Sequence, residues 1–260
     1  MSTVLVTGGT GGLGSQVVTR LLQRHYSVRI MSSRPSSQEA QGVRVYGDIA
    51  SRTGLHEAVA GVDAIIHCIT SFKDTQGVDV EGTRALVKEA KESGSPHLVY
   101  ISIVGVDQSD FFYYQKKYEV EQIVQHSTLP WSILRTTQFH SFAQFIIQSL
   151  VAESEKEVKV PAGMRLQSID GGEVADRLVA IAELGPLNRT VEVGGPQVLT
   201  IEEMTEAYLQ SRGRMAVFRA EPFSDPLLRA LSSDTILTPN HATGLMTWKE
   251  FLDRRPHGNL

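Results

Sequence analysis

The stretch Val4-Leu5-Val6-Thr7-Gly8-Gly9-Thr10-Gly11-Gly12-Leu13-Gly14 decides the fold. It joins a short apolar run to five glycines within seven residues, and an apolar pattern resumes at Gln16-Val17-Val18. This order predicts a strand, a tight turn and a helix. Glycine lets backbone N–H groups approach an anion, and the N-terminus of a helix adds a partial positive charge. The turn is therefore predicted to hold a phosphate group.

The spacing of these glycines, Gly8-x-x-Gly11-x-x-Gly14, differs from the dinucleotide fingerprint G-x-G-x-x-G, in which one residue separates the first two glycines. Its surroundings still favour nucleotide binding. An apolar strand precedes it, an amphipathic helix follows, and Ser27-Val28-Arg29-Ile30-Met31 indicates a second strand. The alternative is a glycine-rich turn that only packs the strand against the helix.

The composition is that of a soluble globular protein, with 41% hydrophobic and 21% charged residues in a chain of 260. This length suits one large domain, or one domain with a small second lobe. The net charge of −4 argues against nucleic acid as the main partner, because a phosphate-binding face usually shows as a basic excess. The expected partner is a small-molecule substrate, with a homodimer as one option for the assembly.

Cys68 is the only cysteine, so the chain can form no internal disulfide and a reducing compartment fits best. Its apolar surroundings predict a buried, unreactive thiol. The first predicted strand leaves no room for a signal peptide, and no apolar stretch approaches the roughly 20 residues of a membrane helix. We therefore expect a cytoplasmic protein. Because no His, Cys or acidic residues cluster at metal-ligand spacing, no metal is expected.

Short β-branched runs alternate with helical periodicity through the first hundred residues. After the first two strands, the pattern predicts strands at 43–46, 64–67 and 97–101, and helices at 55–59 and 78–93. Such alternation implies right-handed crossovers and a doubly wound parallel sheet of the α/β class. In these sheets the ligand lies beyond the carboxyl ends of the strands, so the residues there are candidate site residues.

The Thr7–Gly14 segment resembles the cofactor loop of the short-chain dehydrogenase/reductase superfamily, in its extended or atypical, NmrA-like branch. The segments Glu81–Ala90 and Leu98–Gly105 resemble the long helix and the fifth strand of the same family. The resemblance covers most of the first half of the chain and implies a Rossmann-type fold with a bound NAD(P). The loop residues that it implies as cofactor contacts are Gly8, Thr10, Gly11, Gly12, Leu13 and Gly14.

Three further strand ends carry predicted cofactor contacts. Ser33 and Arg34 follow the second strand, where an NAD-specific site usually has an acid. The arginine can pair with a 2′-phosphate, so NADP is favoured over NAD, and a solvated surface arginine is the alternative. The resemblance implies that Asp48 contacts the adenine amino group and that Ile49 covers the ring, although such an aspartate is also a common helix cap. It places Thr70 in the loop along the ribose.

The residues expected to do chemistry lie on the fifth strand and the next helix. Short-chain dehydrogenases use a Ser at the strand end and a Tyr-x-x-x-Lys pair, and the matching residues are Ser102, Tyr113 and Lys117. Tyr113 and Lys117, four residues apart, share one helix face. A neighbouring cation stabilises a phenolate and is expected to lower the tyrosine pKa toward the working range. Lys117 would also bond the nicotinamide ribose, and Ser102 would hold the substrate oxygen.

An aromatic cluster, Phe111-Phe112-Tyr113-Tyr114, offers an alternative in which Tyr113 is simply a core residue. In atypical relatives the lysine is often kept while the tyrosine is lost or idle. After the predicted sixth strand at 129–135, the family usually has Arg-Pro-Gly facing the nicotinamide, and this chain lacks the proline. His140 is alternatively a helix cap or a surface residue. The substrate-pocket candidates in this loop are Gln138, Phe139 and His140.

Beyond about residue 150 the alternation of strands and helices ends. We predict an NAD(P)-binding Rossmann domain over 1–152 and a smaller C-terminal lobe over 153–260 that caps the cofactor cleft and supplies substrate walls. The segment 167–184 is expected to return to the Rossmann core, as a similar segment does in the extended branch. Thr200 and Glu203 predict a capping box at the start of a later helix.

The favoured function is an NAD(P)H-dependent oxidoreductase that reduces a small carbonyl- or quinone-like molecule, with the hydride carried by the nicotinamide. Two alternatives stay open. One is a non-catalytic NADP-binding redox sensor that reports to a protein partner. The other is an isomerase, dehydratase or oxygenase of a biosynthetic pathway that keeps the nucleotide site.

Overall fold

One large sheet organises the fold, and a computed structural model describes it within residues 2–33, 42–152 and 157–254. The strands in chain order are β1 (Thr3–Thr7), β2 (Ser27–Ser32), β3 (Val43–Tyr46), β4 (Ala64–His67), β5 (His97–Ile103), β6 (Trp131–Thr136), β7 (Glu157–Pro161), β8 (Arg165–Leu166), β9 (Thr190–Val193), β10 (Leu199–Thr200) and β11 (Val217–Glu221). The α-helices are α1 (Gly12–Gln23), α2 (Leu55–Val59), α3 (Gly82–Glu92), α4 (Phe112–Gln125), α5 (His140–Ala152), α6 (Gly171–Leu184), α7 (Ile201–Gln210), α8 (Pro226–Leu231) and α9 (Trp248–Arg254). None of the helices in these described ranges combines the length and the apolar character that crossing a membrane requires.

The central parallel sheet has seven strands in the order β3-β2-β1-β4-β5-β6-β9. At the carboxyl end of β1, Thr7 lies opposite Met31 of β2 on one side and His67 of β4 on the other. The side chains of β4 and almost all of β5 are buried, as expected of parallel strands that have helices on both faces. The predicted doubly wound α/β fold is confirmed.

The strand order reverses between β1 and β4, because the chain winds outward from β1 through β2 to β3 and then crosses back to β4. In open α/β sheets this reversal creates a crevice beyond the carboxyl ends of the strands. The glycine-rich loop leaves the end of β1, and the loop that begins at Cys68 leaves the end of β4. A Cβ atom on Gly8 would lie 3.0 Å from the backbone nitrogen of Ile69, so the two loops pack together at this edge.

The predicted helix over 78–93 begins differently in the structure. A π-helical segment over Thr75–Glu81 precedes α3, and the Asp74 side chain accepts a hydrogen bond from Gly77 N at 2.9 Å. Over so short a stretch, the periodicity of apolar residues does not distinguish a π turn from an α turn. Short π-helical segments are frequent at functional sites. This one carries a buried acid, Asp79.

The chain forms two compact units that interleave along the sequence. The first comprises the described residues of Met1–Ser102, Phe112–Arg135 and Val174–Val191, and the second those of Ile103–Phe111, Thr136–Glu173 and Glu192–Leu260. This division differs from the predicted boundary between residues 152 and 153. Within the first unit, α6 is joined to α1 by two ion pairs, Arg20 to Asp176 at 2.7 Å and Arg24 to Glu183 at 2.5 Å.

The second unit has buried apolar residues and two small sheets of its own. Strands β7 and β11 pair in parallel, and β8 pairs with β10 in antiparallel orientation. The predicted capping box of α7 is confirmed, since Thr200 Oγ1 accepts from Glu203 N at 3.1 Å and Glu203 Oε2 accepts from Thr200 N at 2.8 Å. The apolar side chains buried in this unit include Met164, Leu166, Ile169, Ile201, Met204 and Trp248.

Candidate functional site

The glycine-rich loop folds back on itself between β1 and α1. Gly8 adopts a left-handed conformation with φ of +67°, and its carbonyl accepts a hydrogen bond from Gly11 N at 2.9 Å. A Cβ atom on Gly14 would collide with the backbone of Gly8 and Gly9. Glycine is therefore required at position 8 by backbone conformation and at position 14 by close packing.

The first turn of α1 offers backbone donors to a ligand. Gly11 is the N-cap, in an extended conformation, and among the residues the structure describes no side chain caps the helix and no acid lies in its first turn. Thr10, Gly11 and Gly12 are exposed, and Leu13 is half-buried beside them. Because the first N–H groups of a helix have no partner within it, they bind an anion such as a diphosphate readily. The loop thus fits the predicted diphosphate of NAD(P).

The ends of β2 and β3 carry the residues predicted to recognise the adenosine half of the cofactor. Ser33 is exposed just beyond β2, and Arg34 lies outside the described residues. The Asp48 carboxylate accepts hydrogen bonds from Ala50 N at 2.9 Å and Ser51 N at 3.5 Å, so it closes its own turn. Ile49 is only 2% exposed and packs in the core, so its side chain offers little surface for the predicted cover of an adenine ring.

Helix α4 buries one face that carries three polar side chains, Tyr113, Lys117 and Glu121, at successive intervals of four residues. The Lys117 ammonium lies 3.7 Å from Asp79 Oδ1 and 4.6 Å from the centre of the Tyr100 ring. Burial lowers the pKa of Lys117 and raises the pKa of Asp79, while each charge opposes the shift of the other. Removing either partner would leave the other charge buried without compensation and would destabilise the fold.

Glu121 fixes the same helix to β6. Its carboxylate accepts two hydrogen bonds from Arg135, at 2.9 Å from Nε and 2.7 Å from an Nη atom, and its side chain is fully buried. Such a bidentate pair sets distance and orientation together. The position of α4, and with it of Tyr113 and Lys117, is thus fixed from the next strand of the sheet.

Tyr113 is buried, and its hydroxyl oxygen lies 2.9 Å from Thr70 Oγ1. Thr70 donates to Asp79 Oδ1 at 2.6 Å, and the ring of Tyr113 stacks on Phe72 with centroids 4.0 Å apart. The structure differs here from the expectation for an adjacent lysine. Burial raises the pKa of Tyr113, the Thr70 hydrogen bond opposes that rise, and the negative charge of Asp79 adds to it. The Lys117 ammonium lies against Asp79.

Asp79 and Phe72 are site residues that the sequence analysis missed. Asp79 stands between Val78 and Val80 in the π-helical segment Thr75–Glu81, and its side chain is buried. An acid between apolar residues needs a cationic or hydrogen-bonding partner if it is buried. This pattern is the signal in the sequence that marks Asp79 as a candidate. No spacing rule links it to Lys117, because the two residues belong to different segments of the chain.

Ser102 lies near the end of β5 and is 1% exposed, and its hydroxyl oxygen has no partner within the described part of the chain. The hydroxyl of Tyr100, two residues earlier on the same strand face, is buried and unpaired as well. Most buried polar atoms in native proteins are hydrogen-bonded. An unpaired hydroxyl here is compatible with the predicted role of Ser102 toward a substrate oxygen.

The substrate-pocket candidates belong to the second unit and are described within it. Both amide atoms of Gln138 are buried without a partner in the described residues, and Phe139 forms a β-bridge with Ile169. His140 Nδ1 lies 2.8 Å from Ser168 Oγ and Nε2 lies 3.0 Å from the Met246 carbonyl oxygen. Burial lowers the pKa of His140. With both ring nitrogens bonded inside its unit, His140 holds a structural position at the start of α5.

Two further groups near the strand ends are structural. His67 is buried between Thr7 Oγ1, at 2.6 Å from Nδ1, and Thr83 Oγ1, at 2.9 Å from Nε2. Burial lowers its pKa to about 3 and raises the pKa of Cys68 to about 12, so the imidazole stays neutral and the thiol stays protonated. In the described ranges, no group of His, Cys, Asp and Glu residues is arranged to hold a metal ion.

The family described as NAD(P)H-binding matches residues 8–184, a span that includes the glycine-rich loop, Thr70, Ser102 and the buried face of α4. The chain belongs to this family. A relative from Streptomyces griseus, (4-alkanoyl-5-oxo-2,5-dihydrofuran-3-yl)methyl phosphate reductase, is 30% identical over 223 residues, which cover 81% of this chain and 74% of the relative. The predicted membership of the atypical short-chain dehydrogenase/reductase group is confirmed, and the similarity to a named reductase supports an NAD(P)-dependent oxidoreductase.

Two solved structures share the fold of this NAD(P)H-binding chain. An NADPH-dependent quinone oxidoreductase from Escherichia coli, complexed with NADPH, has a TM-score of 0.81 at 18% identity and covers 96% of this chain and 98% of its own. A nucleoside-diphosphate-sugar epimerase from Staphylococcus aureus has a TM-score of 0.81 at 17% identity, with coverage of 98% and 100%. Three curated relatives from Mycobacterium are much longer than this chain. The match covers 96% of this chain but only 27% of each relative.

Proposed function

We propose that this protein is an NADPH-dependent reductase of a small carbonyl- or quinone-like molecule. The observation that carries the proposal is that Tyr113 and Lys117 are buried on one face of α4, in the same compact unit as the uncapped, glycine-rich start of α1. A helix N-terminus can hold the cofactor diphosphate, and a tyrosine beside a lysine is the general acid that the resemblance to short-chain dehydrogenases implies.

Each group has a separate task in this proposal. The N–H groups at the start of α1 hold the diphosphate, and Lys117 orients a ribose hydroxyl with its ammonium. The bound nicotinamide supplies the hydride. Tyr113 gives a proton to the substrate oxygen, and Ser102 donates a hydrogen bond to that oxygen as negative charge develops.

The preference for NADP and the class of substrate are supported by the sequence after β2 and by the relatives. Ser33 and Arg34 follow β2 without the acid that would bind an unmodified ribose. The Streptomyces relative is named as a reductase, and the Escherichia coli structure is a quinone oxidoreductase with NADPH. Quinones and small ketones both present the single acceptor oxygen that Tyr113 and Ser102 would serve.

A non-catalytic NADP sensor is a second candidate, and a specific observation favours it. The Tyr113 hydroxyl is engaged with Thr70, its pKa is raised by burial, and the Ser102 oxygen is enclosed. A sensor would keep the backbone-built diphosphate site and leave these side chains idle.

The test is turnover by a Tyr113→Phe variant, with Tyr118→Phe on the exposed part of the same helix as the matched control. Using NADPH with menadione or phenanthrenequinone, we expect Tyr113→Phe to lower kcat about 100-fold. Its Kd for NADPH, from fluorescence quenching, should match the unsubstituted protein. Unchanged turnover in Tyr113→Phe would remove Tyr113 from the reaction, and tight NADPH binding without oxidation by any carbonyl or quinone would favour the sensor.

A further inference from the structure

The Thr70 hydroxyl lies between a buried acid and the proposed proton donor. Its oxygen is 2.6 Å from Asp79 Oδ1, to which it donates, and 2.9 Å from the Tyr113 oxygen. A hydroxyl has one proton and two lone pairs. While that proton points to Asp79, the Tyr113 hydroxyl must be the donor to Thr70. Rotation of the Thr70 hydroxyl alone, with no movement of a heavy atom, would reverse the bond toward Tyr113.

The hydrogen bond from Thr70 to Asp79 can be given up because the Asp79 carboxylate has other partners. Ser71 N donates to Oδ2 at 2.8 Å, and the Lys117 ammonium lies 3.7 Å from Oδ1. After the Thr70 hydroxyl has turned away, the acid therefore still has one hydrogen bond and one cation. A buried carboxylate without such partners would lose its only hydrogen bond if the Thr70 hydroxyl turned away, and the hydroxyl would stay directed to it.

The described groups around Tyr113 include one whose charge opposes a phenolate. Phe72 covers the ring, and the titratable groups that face it are Asp79 on the π-helical segment, Tyr100 on β5, and Tyr114 on its own helix. The charge of Asp79 opposes a phenolate, and Lys117 is directed to Asp79. Thr70 is exposed whereas Tyr113 is buried, so Thr70 is the member of the pair that solvent reaches.

We propose that Thr70 is a positioning residue whose hydroxyl turns from Asp79 to Tyr113 and stabilises the phenolate left when Tyr113 has protonated the substrate oxygen. This inference rests on the proposed function. The substrate carbon would accept the hydride that a bound nicotinamide supplies, the Tyr113 proton goes to the substrate oxygen, and a proton from water returns to the phenolate through Thr70. The resemblance to short-chain dehydrogenases assigned the Thr70 position only to the loop along the ribose.

The test reads the Tyr113 phenol directly, without turnover. A difluorotyrosine placed at position 113 lowers the phenol pKa into a range where the protein stays folded, and fluorine NMR follows its titration. Thr70→Val should raise this pKa by about one unit, a tenfold change in proton affinity, because the phenolate loses its donor. Thr70→Ser keeps the hydroxyl and should restore the original value.

Asp79→Asn provides a change of opposite sign, because it removes the negative charge that opposes the phenolate. We expect the pKa at position 113 to fall in this variant, with thermal unfolding checking that the fold is retained. Should Asp79→Asn not fold, the comparison of Thr70→Val with Thr70→Ser decides alone. Equal pKa values in those two variants would overturn the proposal.

Turnover separates this inference from the proposed function. With phenanthrenequinone and saturating NADPH, Thr70→Val should lower kcat about tenfold, while Thr70→Ser retains activity. Full activity in Tyr113→Phe would reject the role of Tyr113 in the reaction, whereas the NMR titration would still report the coupling. A shifted pKa with unchanged kcat in Thr70→Val would overturn the catalytic part of the inference.

Discussion

The glycine-rich loop and the buried face of α4 belong to the same unit, and they are built in opposite ways. The loop exposes Thr10–Gly12 and presents backbone N–H groups at the start of α1, which has no side-chain cap within the described residues. The α4 face presents Tyr113, Lys117 and Glu121, each bonded to a residue from another segment. In the proposed function, binding of the diphosphate therefore depends on the loop, and proton transfer depends on the α4 face. Either can be lost while the other remains, and this difference separates a reductase from a sensor.

Replacing Lys117 with Met should break the α4 side of this comparison most severely, because Asp79 would stay buried without its cation. Removing one partner of a buried pair costs about 3–5 kcal/mol. We expect urea titration at pH 8 to show a loss of about 4 kcal/mol in the free energy of unfolding. The loss should shrink toward pH 5. Burial raises the folded-state pKa of Asp79, so the penalty is full above that pKa and decreases as the carboxyl takes up a proton.

The matched control is Lys116→Met, one residue earlier on α4. The Lys116 ammonium pairs with Glu119 at 2.9 Å, but both side chains are partly exposed, at 24% and 34%. An exposed pair of this kind contributes about 0.5 kcal/mol. Similar losses in the two variants would mean that the Lys117–Asp79 pair is not a buried electrostatic unit.

Gly14→Ala should damage the loop side of the comparison nearly as much. A Cβ atom at position 14 meets the backbone of Gly8 and Gly9, which cannot move aside like a flexible side chain. We expect the free energy of unfolding to fall by about 3 kcal/mol, the upper end of the range for overpacking. At Gly12 the described residues leave the equivalent space open, so Gly12→Ala should have a small effect. Equal melting temperatures for the two variants would argue against the close packing of the loop.

The two regions also differ in how far the sequence predicts them. β1, the loop and α1 are contiguous in the sequence. The spacing of the glycines after an apolar strand is therefore enough to predict all three. For the same reason the strands at 43–46 and 64–67 match the structure in their bounds. The pairing of Lys117 with Asp79 joins residues 38 positions apart, and no periodicity encodes which buried acid a buried lysine will meet.

The expected lowering of the Tyr113 pKa shows the same limit. Spacing of four residues on a helix correctly puts Tyr113 and Lys117 on one buried face. It does not reveal that Asp79 attracts the ammonium and that burial of the phenol is the larger effect. The sign of a pKa shift depends on desolvation and on all the neighbouring charges, which only the folded arrangement brings together.

His97 lies on β5, the strand that carries Ser102, and tests whether a buried side chain there stays uncharged. Burial lowers the His97 pKa to about 4, whereas its unfolded value is near 6.5. The unfolded state therefore binds the proton more strongly, and stability present at pH 7 is lost as pH falls through the unfolded pKa. This group should contribute a loss of about 2 kcal/mol between pH 7 and pH 5. His97→Leu should flatten the measured pH dependence by that amount.

Asp176→Ala should lower the free energy of unfolding least, and it tests whether a surface ion pair helps to position α1. Arg20 and Asp176 join α1 to α6 at 2.7 Å, but the Asp176 side chain is 51% exposed. Solvent screening limits such a pair to about 0.5 kcal/mol. We expect a loss of that size in the free energy of unfolding and no change in the Kd for NADPH. A weakened Kd would mean that the surface pair helps to orient the start of α1, whereas an unchanged Kd leaves the packing of Gly14 on Gly8 as the contact that places the backbone donors.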